Sequence, residues 1–464
     1  MKTKHAPKKL NEQELQTAIA QFTQKVSQFF NEDITNATAR ETNFVERESK
    51  LTGHLFLSVF TFGMSLYGTP TLNQLIGLLH RVMPQLAITR QALHERINDE
   101  AVAFLEKMLS SAIAVELPKR LSQEMASLCP HFKRILVFDS TSFQLPEELA
   151  PYFRGSGGAG SNAAVKILFG YDLKSYQFFY LIEDGVTHDQ LRQSGFLDHL
   201  EAGDLEISDL GFFNIDAFAE IDEKGAFYLS RLRADVNLYQ FTNNGLEEFD
   251  LVRFVKQLQV QQTELEVYLK KGNRLTKTRL IIEQVPDQVK AQRLRQRNRY
   301  NRKKGHKTRQ WIKILAGFNL YITNAPATHI PREQIRSLYG VRWQIELIFK
   351  NWKSNFNLAK VTGTRPERIK CMIYAKLLFI FITTKIIGVI RQYVWRLEKR
   401  EVSDIQAAKH FIIVAQSWFD AIVQKPNDIP KLLKNALEFI MKRCLKANSK
   451  NRTYPLTLLE KLTA

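Results

Sequence analysis

Five apolar, strand-like runs follow one another between residues 133 and 234, and this succession constrains the fold more than any other feature of the sequence. KRILVFDST, AAVKILFGYDL and QFFYLIEDG come first, and the amphipathic segment HDQLRQSGFLDHL separates them from LEISDLGF. The helix-like IDAFAEIDEKG then leads to the last run, AFYLSRLRA. The order β-β-β-α-β-α-β predicts an α/β fold built on a mixed five-stranded sheet with helices on its faces.

The rest of the chain divides around this core. Residues 1–125 and 386–464 have helical periodicity and few strand signals. Residues 237–310 contain the strand-like TELEVYLK and TKTRLIIEQV and then a basic run, which indicates a mostly β insertion. WIKILAGFNLYITN then resumes an apolar strand pattern. We therefore expect a helical N-terminal DNA-binding region (1–125), a core in two parts (126–236 and 311–385), the insertion (237–310) and a helical C-terminal region (386–464).

The charge balance favours a polyanionic partner. The 464 residues include 66 Lys and Arg against 47 Asp and Glu, a formal net charge of +19, so nucleic acid is the leading candidate. Cys129, Cys371 and Cys444 have no paired spacing, which argues against a disulfide framework or a zinc knuckle and favours a reducing cytoplasm. The N-terminus lacks a secretory pattern. Residues 377–390, the most apolar stretch, fall short of the roughly 20 residues of a membrane span, so we expect a buried helix and no membrane association.

A polar stripe runs along residues 339–354, YGVRWQIELIFKNWKS. Tyr339, Arg342, Glu346 and Lys353 are spaced by three, four and seven residues. On one continuous helix, at about 100° per residue, these side chains would lie within roughly 60° of one another, with apolar residues on the opposite side. The segment would therefore hold one carboxylate between two cations and a phenol.

Two further carboxylates stand where apolar strand runs end. Asp139 and Asp209 occupy the positions at which open α/β sheets build their sites, and Glu346 is on the polar stripe. If the three converge, they would supply the oxygen ligands that Mg²⁺ takes, and two such ions can serve both the attacking and the leaving oxygen of a phosphodiester. Taken singly, an Asp after a strand is more often a turn or cap residue.

Together these segments resemble a known family. VFDST, SDLGF and the spacing Tyr339-x2-Arg342-x3-Glu346-x6-Lys353 are similar to the DDE and YREK motifs of bacterial transposases of the insertion-sequence-four family. The resemblance covers about residues 133–353 and includes YITN. The two Asp motifs are short, whereas the four-residue spacing, in its RW and FKNWKS setting, is specific.

The resemblance implies a ribonuclease-H-like catalytic core with the insertion between the second Asp and the Glu. It implies that Asp139, Asp209 and Glu346 are catalytic and bind two Mg²⁺ or Mn²⁺ ions per active site. It assigns DNA phosphate binding to the remaining residues of the stripe, Tyr339, Arg342 and Lys353. Ordinary salt bridges along the helix are the alternative for the two cations.

The expected function is that of a cut-and-paste DNA transposase. As the resemblance implies, it would bind the terminal inverted repeats of its element as a homodimer, hydrolyse one strand, form a hairpin and join the 3′-hydroxyl ends to target DNA. One alternative is a metal-dependent nuclease on the same fold without strand transfer. Another is a transposase-derived DNA-binding protein that is no longer catalytic.

The basic run, residues 290–309, contains ten Lys or Arg and no acidic residue. A solvated face or a flexible loop is the ordinary alternative. In an already basic chain, this density of cations favours a surface that follows DNA phosphates. Its candidate DNA-binding residues are Arg293, Arg295, Arg297, Arg299, Arg302, Lys303 and Lys304.

Weaker signals concern two tryptophans and a His-Asp pair. Trp343 at the edge of the stripe and Trp311, expected to open a strand, are candidates for stacking on a base flipped from the DNA end, with core packing as the alternative. His188 and Asp189 resemble a recurrent His-Asp of the family before a helix, but a helix cap is the preferred assignment.

The N-terminal region contains a candidate helix-turn-helix. Pro84 should end one helix and Thr89 should cap the next, ITRQALHERI. As a recognition helix, this segment would direct Arg90, Gln91 and His94 to base edges. A plain helical bundle is the alternative.

Overall fold

The computed structural model describes residues 12–47, 49–114, 127–157, 160–175, 177–186, 195–447 and 454–463. Its N-terminal region is helical, as expected. The helices of this region are α1 (Glu12–Phe29), α2 (Glu32–Glu41), α3 (Gly53–Tyr67), α4 (Leu72–Val82), α5 (Arg90–Glu95) and α6 (Asp99–Ala114). As predicted, α4 ends before Pro84, and the Thr89 side chain caps α5 by accepting a hydrogen bond from Ala92 N (3.1 Å).

The central sheet begins with the five strands expected from the sequence. They are β1 (Ile135–Gln144), β2 (Ala164–Asp172), β3 (Phe178–Asp184), β4 (Leu205–Ser208) and β5 (Phe227–Arg231). Their spatial order is β3-β2-β1-β4-β5, with antiparallel pairing on the β3 side of β1 and parallel pairing on the β4 side. Helix α7 (Ile215–Glu223) connects β4 to β5, again as expected.

The sheet has ten strands, not the five that we expected. The others are β6 (Leu238–Thr242), β7 (Gly245–Phe249), β8 (Gln262–Lys271), β9 (Arg274–Gln284) and β10 (Phe318–Thr323). β10 pairs antiparallel with β5 on one side and with β9 on the other, so the insertion continues the core sheet. The open edge that the core would present to other chains is thereby covered.

Two parts of the insertion differ from the expected pattern. Most of the basic run is helical, in α9 (Asp287–Lys303). Trp311, which we expected to open a strand, lies in the short helix α10 (Gln310–Leu315), and the strand begins only at Phe318. A further helix, α8 (Leu251–Gln257), separates β7 from β8.

The remaining chain is helical. It forms α11 (Arg332–Gly340), α12 (Trp343–Ser354), α13 (Pro366–Glu398), α14 (Asp404–Ile413), α15 (Ala415–Gln424), α16 (Ile429–Arg443) and α17 (Pro455–Thr463). α13 is longer than the apolar stretch suggested, and of the described helices it alone is long and apolar enough to cross a membrane. Because 89% of its most apolar window is buried inside the fold, it is a core helix here, as expected.

Two apolar clusters cover the two faces of the sheet. Along β1, Ile135 and Val137 belong to the larger cluster, which also contains the buried residues of α12, whereas Leu136 and Phe138 belong to the smaller one. This alternation follows from the two-residue period of a strand. We call the side covered by α12 the front face and the other side the back face.

Candidate active site

Asp139 and Asp209 are brought together by two parallel strands. Asp139 is on β1, two residues after Val137, so strand alternation directs its side chain to the front face. Phe138 is in register with Ser208, the last residue of β4, and Asp209 follows at once. The two carboxyl groups are therefore neighbours on adjacent strands. Asp209 directly follows the end of β4, as expected, whereas Asp139 lies in the middle of β1, because the strand continues through polar residues to Gln144.

The polar stripe is not one continuous helix. α11 ends at Gly340 and α12 begins at Trp343. Between them Val341 N donates to Leu338 O (3.1 Å) and Arg342 N to Tyr339 O (3.2 Å), the tighter i to i−3 pattern. Glycine followed by a β-branched residue is a poor helix sequence, which explains the break. The tightened turn still keeps Tyr339 and Arg342 on the same side, because residues three apart align in this geometry.

Arg342 connects two of the three carboxylates. Its guanidinium donates to Asp139 Oδ2 (3.3 Å) and to Glu346 Oε1 (2.6 Å), the latter one helical turn further along. The exposed fractions of the Arg342 and Asp139 side chains are 15% and 16%, so this contact is largely shielded from water, whereas Glu346 is 32% exposed. Arg342 Nε is buried and has no hydrogen-bond partner among the described residues.

Asp139 is held in an environment that disfavours its charge. Burial, foremost, raises its pKa to about 6, and the nearby charges of Asp209 and Glu346 add to this shift. The Ser140 N–H, which donates to Oδ1 (2.7 Å), and the Arg342 cation act in the opposite direction. The raised pKa of Asp139 therefore reflects chiefly its burial, with the two neighbouring carboxylates as smaller contributions.

Tyr339 and Lys353 flank this centre. The Tyr339 ring lies 5.4 Å from that of Tyr321 and 5.9 Å from the Arg342 guanidinium carbon, and burial raises the pKa of Tyr339 to about 12. Lys353 Nζ donates to Ser142 O (2.8 Å), near the end of β1, and burial lowers its pKa. Tyr339, Arg342 and Glu346 thus lie together on the front face, whereas Lys353 contacts β1 three residues beyond Asp139.

The donor set suits a hard divalent cation once Arg342 changes its contacts. As the side chains stand, no three His, Cys, Asp or Glu residues among those described form a group that could hold a metal ion. The three carboxylates nevertheless supply the charged oxygens that Mg²⁺ and Mn²⁺ prefer, and a cation, the guanidinium, already bridges Asp139 and Glu346.

Comparisons with known proteins find relatives over most of the chain. Residues 130–382 match the family model of the transposase DDE domain. The chain is 31% identical over 450 residues, 94% of each protein, to the transposase for insertion sequence element IS231E of Bacillus thuringiensis subsp. finitimus. It is 26% identical to the transposase for IS1151 of Clostridium perfringens, over 94% of this chain and 96% of that protein. The chain belongs to the DDE transposase family.

The basic run of the transposase is not uniform. Arg293 donates to the carbonyl oxygens of Ala316 (3.3 Å) and Phe318 (3.0 Å) and to Asn319 Oδ1 (2.5 Å), so it attaches α9 to the start of β10. The other six candidates of the run are exposed: Arg295, Arg297, Arg299, Arg302, Lys303 and Lys304. The structure therefore separates Arg293, an internal contact, from the cations that face solvent.

The two tryptophans are on different sides of the sheet. Trp343, 55% exposed, adjoins Arg342 at the start of α12. Trp311 packs against the back-face cluster and lines a cleft of about 850 Å³ beside α8, so the structure does not bring it to the carboxylates. His188 and Asp189 lie outside the described residues.

The expected recognition helix is short and partly engaged. α5 has only six residues, and His94 Nε2 lies 3.0 Å from a guanidinium nitrogen of Arg365. Arg90 and Gln91 are exposed, and Gln91 Nε2 donates to Glu95 Oε1 (2.8 Å). The geometry favours the alternative, a helical bundle, over base reading by His94.

Arg231 is a cation near the candidate site that the sequence analysis missed. It ends β5 on the same side as Leu229 of the front cluster, and its charge acts to lower the pKa of Tyr339. The signal was present in the two-residue alternation along β5, because a cation at the end of the third parallel strand faces the same way as the two aspartates.

Proposed function

We propose that this transposase moves its element by a cut-and-paste route, with a hairpin intermediate, on a ribonuclease-H-like core. The observation that carries the proposal is the proximity of Asp139, Asp209 and Glu346 on the front face, where Arg342 bridges Asp139 and Glu346. The order β3-β2-β1-β4-β5, with its antiparallel and parallel halves, supports the assignment of the core. The substrates are the terminal inverted repeats and then target DNA.

Two Mg²⁺ or Mn²⁺ ions would be held by Asp139, Asp209 and Glu346. When bound, they supply activation of the attacking water or hydroxyl and neutralise charge on the leaving oxygen. The half-buried position of Asp139 limits access of bulk water, which strengthens electrostatic interactions in the site. The same carboxylates can serve strand hydrolysis, hairpin formation and strand transfer, because all three are phosphoryl transfers.

The cations of the stripe would bind the DNA end. Arg342 has a fork of donors that matches a phosphate, and its buried Nε has no partner within the described residues. On DNA binding the guanidinium would exchange its contacts with Asp139 and Glu346 for phosphate oxygens, freeing both carboxylates. Lys353 adds a point charge near the end of β1, Tyr339 a phenol, and the exposed Trp343 a surface for an unstacked base.

Cleavage of a supercoiled plasmid that carries the element's ends tests the site. We expect end-specific cleavage with Mg²⁺, none with EDTA, and none with Glu346→Gln, although that variant still binds DNA. Glu333→Gln is the matched control, because Glu333 is exposed on α11 and pairs only with its neighbour Arg332 in the described structure. If Glu346→Gln cuts as well as the wild type, the front face is not the active site.

Strand transfer distinguishes a transposase mechanism from simple nuclease action. Precleaved ends with a free 3′-hydroxyl should be joined to a target plasmid, and hairpins should be detectable on denaturing gels of the cleavage reaction. We also propose that a homodimer bridges the two ends. Light scattering with and without end DNA should then show two protomers in the complex, and a single protomer holding one end would contradict this.

A further inference from the structure

Helix α9 changes character along its length. Its first half is docked, because Val289 and Leu294 are half-buried and Arg293 is bonded to the start of β10. From Arg295 to Tyr300 every residue is exposed. Six consecutive exposed residues cover all sides of a helix, since one turn takes 3.6 residues. This half of α9 therefore projects from the body; we call residues 295–304 the α9 finger.

The end of the finger is stiffened by the chain that returns from it. Asn301 is buried, and its Nδ2 donates to Thr308 Oγ1 (2.9 Å), which in turn donates to Asn298 Oδ1 (2.7 Å). The helical part beyond Leu294 has nine residues, about 13 Å at 1.5 Å per residue. A rigid projection of this length and a helix diameter of about 10–12 Å match the major groove, which is about 12 Å wide.

The finger carries side chains suited to DNA. Within the described part of the chain, none of its six cations forms an ion pair. Between the arginines stand Gln296 and Asn298, and Tyr300 is 57% exposed with the Arg297 guanidinium over its ring. Arg, Gln and Asn are the side chains that bind base edges with two hydrogen bonds at once. By contrast, a helix that bound only DNA phosphates would need cations along one side and no Gln or Asn between them.

The finger begins at the same edge of the sheet as the carboxylates. β9 is parallel to β1, β4 and β5, because β10 is antiparallel to both β5 and β9, and α9 follows the end of β9. The separation from β4 or β1 to β9 is three or four strand spacings, about 14–19 Å. Arg231 ends β5, which lies between β4 and β9 in the sheet, and Arg336 pairs with Glu283 near the end of β9 (3.1 Å). Arg231 thus adds a positive charge between the carboxylates and α9.

We propose that the α9 finger enters the major groove of the element's own end and reads base edges about four to six base pairs from the cleaved bond. The spacing takes the separation of about 14–19 Å from β4 or β1 to β9 as the distance from the cleaved bond to the base of the finger, where Arg293 contacts the start of β10, and divides it by the rise of about 3.4 Å per base pair. This inference rests on the proposed function, because it takes the carboxylates as the point where the cleaved phosphate is held. The finger then contributes to recognition of the repeat, which needs base contacts as well as charge.

The test separates base reading from charge. The triple variant Arg295→Lys, Arg297→Lys, Arg299→Lys keeps every charge but loses the two-bond contacts of arginine. Binding is measured by fluorescence anisotropy with a duplex of the terminal repeat and with an unrelated duplex of equal length, at several salt concentrations. We expect the ratio of the two affinities to fall about tenfold or more, with an unchanged salt slope.

Two controls and a base-pair scan complete the experiment. Arg253→Lys with Arg443→Lys changes exposed arginines of α8 and α16 and should leave the ratio unchanged, whereas Lys303→Ala with Lys304→Ala should weaken both duplexes equally and lower the salt slope. In the scan, single base pairs of the repeat are substituted and the loss of affinity is measured for both proteins. Near positions four to six the triple variant should lose less affinity than the wild type, and elsewhere the two should lose the same. The proposal is overturned if the ratio of the two affinities is unchanged in the triple variant. It is also overturned if the triple variant differs from the wild type only at base pairs of the flanking DNA. Plasmid cleavage by the wild type, measured in parallel, tests the proposed function of the carboxylate site separately from the role of the finger.

Discussion

The front and back faces of the sheet each hold a carboxyl group whose pKa is raised, yet their surroundings differ. On the front face, the pKa of Asp139 is raised to about 6, and Arg342 bonds to its oxygen. On the back face, burial raises the pKa of Glu206, on β4, to about 7, and the nearby Ser208 hydroxyl opposes the shift. Glu206 Oε2 is buried and has no hydrogen-bond partner among the described residues.

The difference shows that a raised pKa does not by itself mark a reactive site. Burial is the main cause for both groups. Asp139 also has a cation in contact, two carboxylates nearby and partial exposure, so a charged ligand can reach it. Glu206 has none of these contacts in the described structure and is enclosed by the smaller apolar cluster. Function therefore follows from access and charged neighbours.

The largest expected effect separates the two faces by activity. Asp209→Asn removes a carboxylate that we propose as a metal ligand on the front face, and end cleavage should fall on the order of a thousandfold. Glu206→Gln, three residues earlier on the back face, should retain cleavage within a few fold. The assay is the Mg²⁺-dependent plasmid reaction, with circular dichroism to verify folding. Equal losses in both variants would mean that the two faces do not differ in function.

Arg342→Lys tests whether the front face needs a fork of donors or only a charge. The guanidinium reaches Asp139 and Glu346 together, at 3.3 and 2.6 Å, and a lysine ammonium offers a single point of charge. We expect cleavage to fall about a hundredfold, with end-DNA affinity reduced far less. The measurement is a single-turnover rate at saturating DNA. Full activity of the lysine variant would reduce the role of Arg342 to charge balance.

Much of the front face was predictable because its signals are local. The apolar runs of β1 and β4 end at Asp139 and Asp209, although β1 itself continues to Gln144, and the spacing of Arg342 and Glu346 is that of neighbours on a helix. The break at Gly340 was missed because side-chain periodicity changes little when a helix tightens for one turn.

The long-range features were not predictable from periodicity. Whether β9 pairs with β10, and so joins the insertion to the core, is a choice of strand partner that no local pattern records. The same limit applies to Arg293, whose charge suggested DNA but whose guanidinium binds backbone carbonyls of the next segment. Trp311 was assigned to a strand because a six-residue helix is too short to show a helical period.

Glu206, on the back face, should make the free energy of unfolding depend on pH. Its folded pKa of about 7 is above the 4.5 of an exposed glutamate, so the native state keeps a proton that the unfolded chain releases. The free energy of unfolding should therefore fall as pH rises from about 4.5 to about 7. Glu206→Gln should remove this part of the pH dependence and be more stable than the wild type at pH 8, on the order of 3 kcal/mol. Urea unfolding at pH 4, 6 and 8 measures the effect. If the free energy of unfolding of the variant has the same pH dependence as that of the wild type, Glu206 does not titrate in this range.

The smallest expected effect lies at the edge of the front face, at Lys353. Its Nζ donates to Ser142 O (2.8 Å), so the ammonium is fixed beside the end of β1, where the proposed phosphate would lie. Lys353→Met keeps most of the buried side-chain volume and removes the charge, and we expect the cleavage rate to fall about tenfold, equal to ~1.4 kcal/mol in the barrier. Lys350→Met is the matched control, because Lys350 is exposed on the same helix one turn earlier. If both variants lose activity equally, α12 contributes only general positive charge; if Lys353→Met alone does, the front face requires a cation at this position.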